Sequence, residues 1–351
     1  MIRLKLKCSM ISKNFDKRNE KDALSLDRKP IHLSYRPFSA WIALALTLFF
    51  IARPARAQEP APAAGAGDSV QMVVSVEPKH GNQIPTITQQ DMMVYQGHDR
   101  LTVTGWIPAK GDNAALALAI LIDESAGFSL GTQLNDIRTF INEQPPSTMI
   151  AVGYLENGTV KLATDFTKDH AAAAKSIRLT LGYFGAEGSP YLSLSSFIKG
   201  WHSNSPTIRR EVLMITSGID NVYMGTMDNP YVDAAIQNAQ CAGVVVFSIY
   251  TPSAGHMGHS YFRTNWGMNY LSELSEMTGG ESYYLMGPQG PVSFVPYLKK
   301  LNEQLPNQFL LSFQPKPEKR AGPESVKVTS EIHDVDFLHA DKVCVQAEPK
   351  E

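Results

Sequence analysis

The chain has 351 residues, enough for two domains, and its 43% of hydrophobic residues is ordinary for a globular protein with a sizeable core. This composition excludes a chain that is disordered or largely embedded in a membrane. Lys and Arg number 32 against 34 Asp and Glu, but basic residues are concentrated in the first 37 positions.

The N-terminal segment has the pattern of a secretory signal. The basic residues precede an uncharged run, Phe38 to Ala52, which is too short to span a bilayer comfortably. Ala55-Arg56-Ala57 then fits the small-x-small pattern of signal-peptidase cleavage. We therefore predict a signal peptide over 1–57 and a secreted, periplasmic or cell-envelope protein with no membrane span after cleavage. A retained N-terminal anchor is the alternative.

Cleavage after Ala57 makes the remaining chain acidic. Residues 1–57 hold twelve of the 32 basic residues and four of the 34 acidic ones, so 20 bases face 30 acids in the remainder. Nucleic-acid binding depends on Lys and Arg that neutralise phosphates, and we predict no such partner. Cys241 and Cys344 also remain. In an oxidising compartment they can form a disulfide, but their apolar neighbours are equally compatible with two buried free thiols.

The chain then divides into segments of different pattern. A Pro-, Ala- and Gly-rich linker over 58–69 precedes short β-like stretches, which predict a small β-rich N-terminal subdomain over 70–110. Strands and helices alternate over 114–306, which favours βαβ units, and Asn157-Gly158 predicts a hairpin with one antiparallel edge strand. Further strand patterns predict a C-terminal β segment over 307–347.

The strongest strand signal ends in an acid. Seven apolar residues from Leu116 to Ile122 run into Asp123, which is typical of a strand buried on both faces of a parallel sheet. Ligands of open α/β sheets bind outside the carboxyl ends of the strands, where Asp123 is followed by Ser125. Asp and Ser are equally favoured as helix caps, so spacing alone leaves a cap and a ligand site as alternatives.

The order of these segments resembles the secreted bacterial proteins with a von Willebrand factor type A (VWFA)-related domain. The resemblance rests on the lead-in that ends Asp91-Met92-Met93-Val94-Tyr95-Gln96-Gly97, the strand Leu118 to Asp123, the stretch Val212 to Asp220, and the turn Thr278-Gly279-Gly280. It extends over roughly Val70 to Val345. It implies an α/β fold with a doubly wound, mainly parallel sheet and one antiparallel edge strand, flanked by the small β-rich N-terminal extension and the C-terminal β segment.

The best-known members of that family hold a divalent ion at a metal-ion-dependent adhesion site. The resemblance places three of the five ligand positions at Asp123, Ser125 and Ser189, and Asp220 lies three residues beyond the third-loop position as a substitute ligand. Two positions depart from the family pattern, because Gly127 replaces a Ser of the first loop and Ser217 stands where the third loop has Asp. Mg²⁺ and Ca²⁺ need oxygen ligands, and the number of charged ligands largely sets their affinity. The resemblance therefore implies either weak Mg²⁺ or Ca²⁺ binding or a degenerate pocket.

A long polar and aromatic stretch, Thr251 to Gly267, follows the strand that ends at Tyr250. We predict a loop at the same end of the sheet as Asp123. A loop of this length is functional or disordered, and its aromatic content favours order. Three residues of types enriched at binding hot spots predict a protein-partner surface: Tyr261, Arg263 and Trp266. The alternative is that these side chains pack back onto the end of the sheet.

The expected function is a protein-binding or adhesion module rather than an enzyme. Enzymes usually place titratable groups with opposed roles next to each other. The predicted loops supply Asp123 and Asp220 but no His or Lys. An α/β enzyme that uses the cleft at the carboxyl ends of the strands, and a structural scaffold of an envelope assembly, are the alternatives.

Overall fold

The computed structural model describes residues 69–347 except 82, 183–187, 202–206, 224–227, 256–259, 285–289 and 319. The predicted signal peptide and the linker up to residue 68 lie outside the described residues. Within the described part, no helix is both long enough and apolar enough to cross a membrane.

Thirteen strands and six α-helices are present in the described residues. The strands are β1 (Val70–Pro78), β2 (Met92–Gln96), β3 (Asp99–Pro108), β4 (Leu116–Asp123), β5 (Thr148–Glu156), β6 (Thr159–Thr167), β7 (Arg209–Thr216), β8 (Val244–Tyr250), β9 (Ser282–Tyr283), β10 (Gln308–Gln314), β11 (Gly322–Ser330), β12 (Val335–His339) and β13 (Lys342–Val345). The helices are α1 (Leu134–Glu143), α2 (His170–Lys175), α3 (Pro190–Gly200), α4 (Pro230–Ala242), α5 (Tyr261–Met277) and α6 (Val295–Gln304).

One sheet has six strands in the order β6-β5-β4-β7-β8-β9. All neighbours are parallel except the edge strand β6, which is antiparallel to β5. Every residue of β4 is buried, as its apolar run predicts. Leu118 and Ile120 pack with α1, α2 and α6, whereas Ala119 and Leu121 pack with α3, α4 and α5. Helices therefore cover both faces, and this sheet has the predicted mainly parallel form with one antiparallel edge.

The other sheet corrects the sequence-based expectation. It has seven antiparallel strands in the order β12-β1-β10-β3-β2-β11-β13, so the N-terminal and C-terminal β segments form one large sheet. The fold is thus mixed α/β, with a second sheet that is larger than the predicted small extension. Alternation of apolar residues identifies a strand but not a partner that is distant in the chain. For this reason the position of β10 between β1 and β3 was not predicted.

This seven-stranded sheet is curled. Its two edge strands, β12 and β13, are consecutive in the chain and are joined by Ala340 and Asp341 alone. A flat sheet cannot bring its opposite edges that close, so the strands roll around their own apolar interior. That interior includes Val74, Trp106, Leu311, Phe313 and Val328.

A disulfide links the two parts of the fold. Cys241 at the end of α4 is bonded to Cys344 in β13, with a Cα–Cα distance of 4.7 Å, so of the two alternatives for these cysteines the structure contains the bonded pair. The first residues of β1 lie at the same corner, where Val70, Ala242 and Cys344 line a cavity of about 130 Å³. This corner is at the amino end of β8, opposite Asp123.

A buried ion pair lies where the six-stranded sheet meets the connection into β10. Arg209 Nη1 lies 3.4 Å from Glu211 Oε1 and donates a hydrogen bond to the Leu305 carbonyl at 3.0 Å. The same guanidinium donates to the Gln308 side chain. Glu211 is fully buried and its Oε2 has no hydrogen-bond partner. Burial raises the pKa of Glu211 to about 7, although Arg209 and Gln308 both favour the charged form.

This pKa predicts a pH-dependent stability. Glu211 binds its proton more tightly in the folded chain than in the unfolded chain, where the pKa is near 4.5. Its contribution to the free energy of unfolding is therefore complete below pH 4.5 and is lost as the pH rises through about 7. The expected loss is roughly 3 kcal/mol. The free energy of unfolding of the wild type and of Glu211→Gln is measured by denaturant at several pH values across this range. The wild type should lose stability relative to Glu211→Gln as the pH rises. If the two free energies instead change in parallel with pH, the prediction is contradicted.

Candidate functional site

Asp123 lies at the carboxyl end of β4 and is 5% exposed. Its Oδ1 accepts a hydrogen bond from the Ser125 amide at 2.9 Å, and its Oδ2 accepts one from the Thr216 hydroxyl at 2.6 Å. Burial raises the pKa of Asp123, and these hydrogen bonds oppose the rise. Asp123 does not cap a helix, because α1 begins only at Leu134. The side chain instead ties the turn after β4 to the end of β7.

Ser189 and Asp220 meet in a second buried group. The Ser189 hydroxyl donates a hydrogen bond to Asp220 Oδ2 at 2.7 Å. The same oxygen accepts from Asn229 Nδ2 at 3.0 Å, and Asp220 Oδ1 accepts from the amides of Val222 at 2.8 Å and Tyr223 at 3.0 Å. The Asp220 carboxylate therefore has four donors from the chain itself.

Two helix N-termini support this carboxylate. Ser189 is the N-cap of α3 and accepts a hydrogen bond from the Leu192 amide. Asn229 is the N-cap of α4, and its Oδ1 accepts from the Tyr231 amide at 2.9 Å. The amino end of a helix carries partial positive charge, which stabilises a nearby anion. Each cap side chain thus bridges Asp220 to the positive end of one helix.

The four residues predicted as metal ligands therefore form two hydrogen-bonded groups, Asp123 with Ser125 and Ser189 with Asp220. A Mg²⁺ or Ca²⁺ ion needs the lone pairs of its oxygen ligands. Both oxygens of Asp220 accept two protein donors each, and the Ser189 proton is used in one of these bonds. Among the described residues, no group of three or more His, Cys, Asp or Glu side chains can hold a metal ion. The arrangement does not fit a ready-made divalent-cation site.

Glu124, which was not among the predicted site residues, organises the adjacent segment. Its buried carboxylate forms an ion pair with Arg178 and accepts a hydrogen bond from the Leu181 amide at 2.8 Å. The Arg178 guanidinium lies 3.8 Å from the centre of the Tyr154 ring. An acid directly after Asp123 is visible in the sequence, but its cation is 54 residues away. No local pattern reveals such a pair.

Tyr261, Arg263 and Trp266 lie in the first turns of α5, so the prediction of one long loop up to Gly267 was wrong. Residues 256–259 of that stretch lie outside the described part. The prediction failed because Trp266, Tyr270 and Leu274 are spaced by four residues and share one helical face that packs on the core. The apolar pattern of the helix thus begins earlier than predicted. Trp266 and Arg263 are half-buried.

Exposed aromatic side chains lie near this end of the sheet. We use the word rim for the edge formed by the connections that follow β4, β7 and β8. Phe128 is 74% exposed, and at the start of α5 Tyr261 is 64% and Phe262 72% exposed. The connections after β4 and β8 are joined by backbone hydrogen bonds, from the Gly127 amide to the Pro252 carbonyl at 2.9 Å and from the Ala254 amide to the Ser125 carbonyl at 2.7 Å.

Comparisons with known proteins give weak likenesses. No family model and no curated protein matches the chain. It is similar to an aerotolerance-related membrane protein from Bacteroides fragilis NCTC 9343, with 14% identity, a TM-score of 0.39 and coverage of 54% of this chain and 98% of that chain. It is also similar to the SpRpn10 VWA domain, with 10% identity, a TM-score of 0.35 and coverage of 53% of this chain and 95% of that domain. The open conformation of the pilus adhesin SpaC from Lactobacillus rhamnosus GG is 8% identical, with a TM-score of 0.38 and coverage of 73% of this chain and 47% of that chain. At these levels no function is transferred from those proteins.

Proposed function

We propose that this chain is an exported protein-interaction module of von Willebrand factor A type that binds a protein partner at its rim. The observation that carries the proposal is the exposure of Phe128, Tyr261 and Phe262 in the connections at this end of the sheet, where the buried polar groups are already hydrogen-bonded within the chain. The order and direction of the strands in the six-stranded sheet support the choice of this edge, since ligands of such sheets bind at the carboxyl ends of the strands.

The exposed rings favour binding over packing. A Phe side chain contributes about 2–3 kcal/mol when it is fully removed from water. Phe262 and Phe128 leave most of that contribution unused in the isolated chain. Aromatic residues are enriched at the centres of protein interfaces for this reason. Of the three residues predicted from the sequence, Tyr261 fits this role, whereas Trp266 packs against the core below the rim.

The buried polar groups below the rim do not support the rival proposal of an enzyme. Among the described residues, the hydrogen-bond donors to Asp123 and Asp220 are hydroxyl, amide and backbone groups. Neither carboxylate has a His or Lys partner in this set, so a general acid and base with opposed roles are not paired here. The disulfide supports export, because such bonds persist in oxidising compartments. Cleavage after Ala57 stays a prediction.

Site-specific photo-crosslinking tests the binding surface. A photoreactive amino acid at position 262 is expected to capture one discrete partner from the envelope fraction of the native organism. The same amino acid at exposed Lys327 on β11 is the matched control and is expected to capture none. Equal capture at both positions would contradict the proposal.

Two Ala variants separate binding from packing once the partner is isolated. Phe262→Ala is expected to weaken partner binding about tenfold, or about 1.4 kcal/mol, at an unchanged melting temperature. Trp266→Ala is expected to lower the free energy of unfolding by about 2 kcal/mol, because the ring is only half-buried against the core. Full binding by Phe262→Ala, together with loss of binding by a stable Trp266→Ala, would place the interface elsewhere on α5.

A further inference from the structure

The buried carboxylate of Asp220 has its charge balanced without a bound ion. Ser189 and Asn229 each donate a hydrogen bond to it, and the amides of Val222 and Tyr223 donate two more. Two of these donors are the N-caps of α3 and α4, so the positive ends of both helices face the same anion.

The orientation of the Asn229 amide is fixed by its second hydrogen bond. Its Oδ1 accepts from the Tyr231 amide at 2.9 Å, so only Nδ2 is available to Asp220. An Asn side chain has one accepting and one donating end, and here each end has its partner. The side chain therefore acts as a neutral donor that is locked against the carboxylate.

We infer that the Asn229 side-chain amide takes the place of a divalent cation beside Asp220, so that the buried polar group of Asp220, Ser189 and Asn229 is held in one hydrogen-bonded state that needs neither Mg²⁺ nor Ca²⁺. The inference concerns the buried polar group and not the exposed aromatic surface, and its main test needs no partner. Its one consequence for the rim rests on the proposed function: partner binding there is insensitive to chelators.

The substitution Asn229→Asp tests the role of the amide. Asp is as good an N-cap as Asn, so the start of α4 is kept. The change replaces a donor at 3.0 Å from Asp220 by a second carboxylate oxygen. Two carboxylates and the Ser189 hydroxyl then form a set of hard oxygen ligands, which Mg²⁺ and Ca²⁺ prefer. Asn229→Ala is the control without added charge; because it removes the N-cap of α4 together with the donor, it is compared by its response to cations and not by its melting temperature alone.

The melting temperature of each purified mature chain is measured with chelator and with millimolar Mg²⁺ or Ca²⁺ at matched ionic strength. We expect no shift for the wild type. Asn229→Asp is expected to melt several degrees lower than the wild type in chelator and to recover on addition of either cation. Asn229→Ala is expected to melt lower and to show no recovery.

Two results would overturn the inference. One is a cation-dependent rise for the wild type that Ser189→Ala removes, since it would show a working cation site. The other is an Asn229→Asp chain that folds but does not respond to cations. If Asn229→Asp does not fold, calorimetric titration of the wild type with Mg²⁺ and Ca²⁺ decides alone, because measurable binding at millimolar ion contradicts the inference. Failure of the proposed function appears separately, as loss of specific crosslinking at position 262.

Discussion

Asp220→Ala is expected to lower the free energy of unfolding by about 4 kcal/mol, which is near the upper end of single-residue effects. The substitution removes the common acceptor of four donors in a site where Asp220 and Ser189 are buried. Leaving a buried donor without an acceptor costs about 1–3 kcal/mol, and neighbouring losses are not additive because the site relaxes. Denaturant unfolding followed by circular dichroism measures the change.

Asp165→Ala is the control for this prediction. Asp165 is exposed on the edge strand β6 and accepts a hydrogen bond from the amide of its neighbour Phe166. Its loss is expected to change the free energy of unfolding by less than about 0.5 kcal/mol. If Asp220→Ala changes stability as little as Asp165→Ala does, the Asp220 network does not stabilise the fold.

Removal of the disulfide is expected to have an effect of similar size. The bond joins residues 103 positions apart, and in the chain-entropy model a closed loop of about this length contributes about 4–5 kcal/mol to stability. The double substitution Cys241→Ser with Cys344→Ser should therefore lower the free energy of unfolding by about 4 kcal/mol. Reduced wild-type protein provides the control and should unfold at the same denaturant concentration as the double variant. Coincidence of the oxidised wild type with the variant would contradict this prediction.

The central part of the fold was predictable because its signals are local. The apolar run of β4 needs only its own residues to indicate a strand buried on both faces, and Asn157-Gly158 specifies the hairpin between β5 and β6. The position of Asp123 at the end of β4 follows directly from that run. These elements are determined by residues a few positions apart, which a single sequence contains.

The parts that were missed depend on distant residues. β10 pairs with β1 and β3, which are distant from it in the chain. Glu124 forms its ion pair with Arg178, and two strands, β5 and β6, lie between these residues in the sequence. Asn229 had a local signal, because Asn followed by Pro is typical of a helix start. That signal predicts a cap but not its second hydrogen bond, to Asp220.

The start of β1 and the rim lie at opposite ends of β8. Val70 lies beside the end of α4 and the start of β8, while the rim follows the other end of β8. Seven residues of extended strand separate the two, a distance of roughly 20 Å. A fusion or surface attachment introduced before Ser69 therefore joins the described residues at the end of the six-stranded sheet that is remote from the rim, and it leaves the exposed ring of Phe262 at the opposite end.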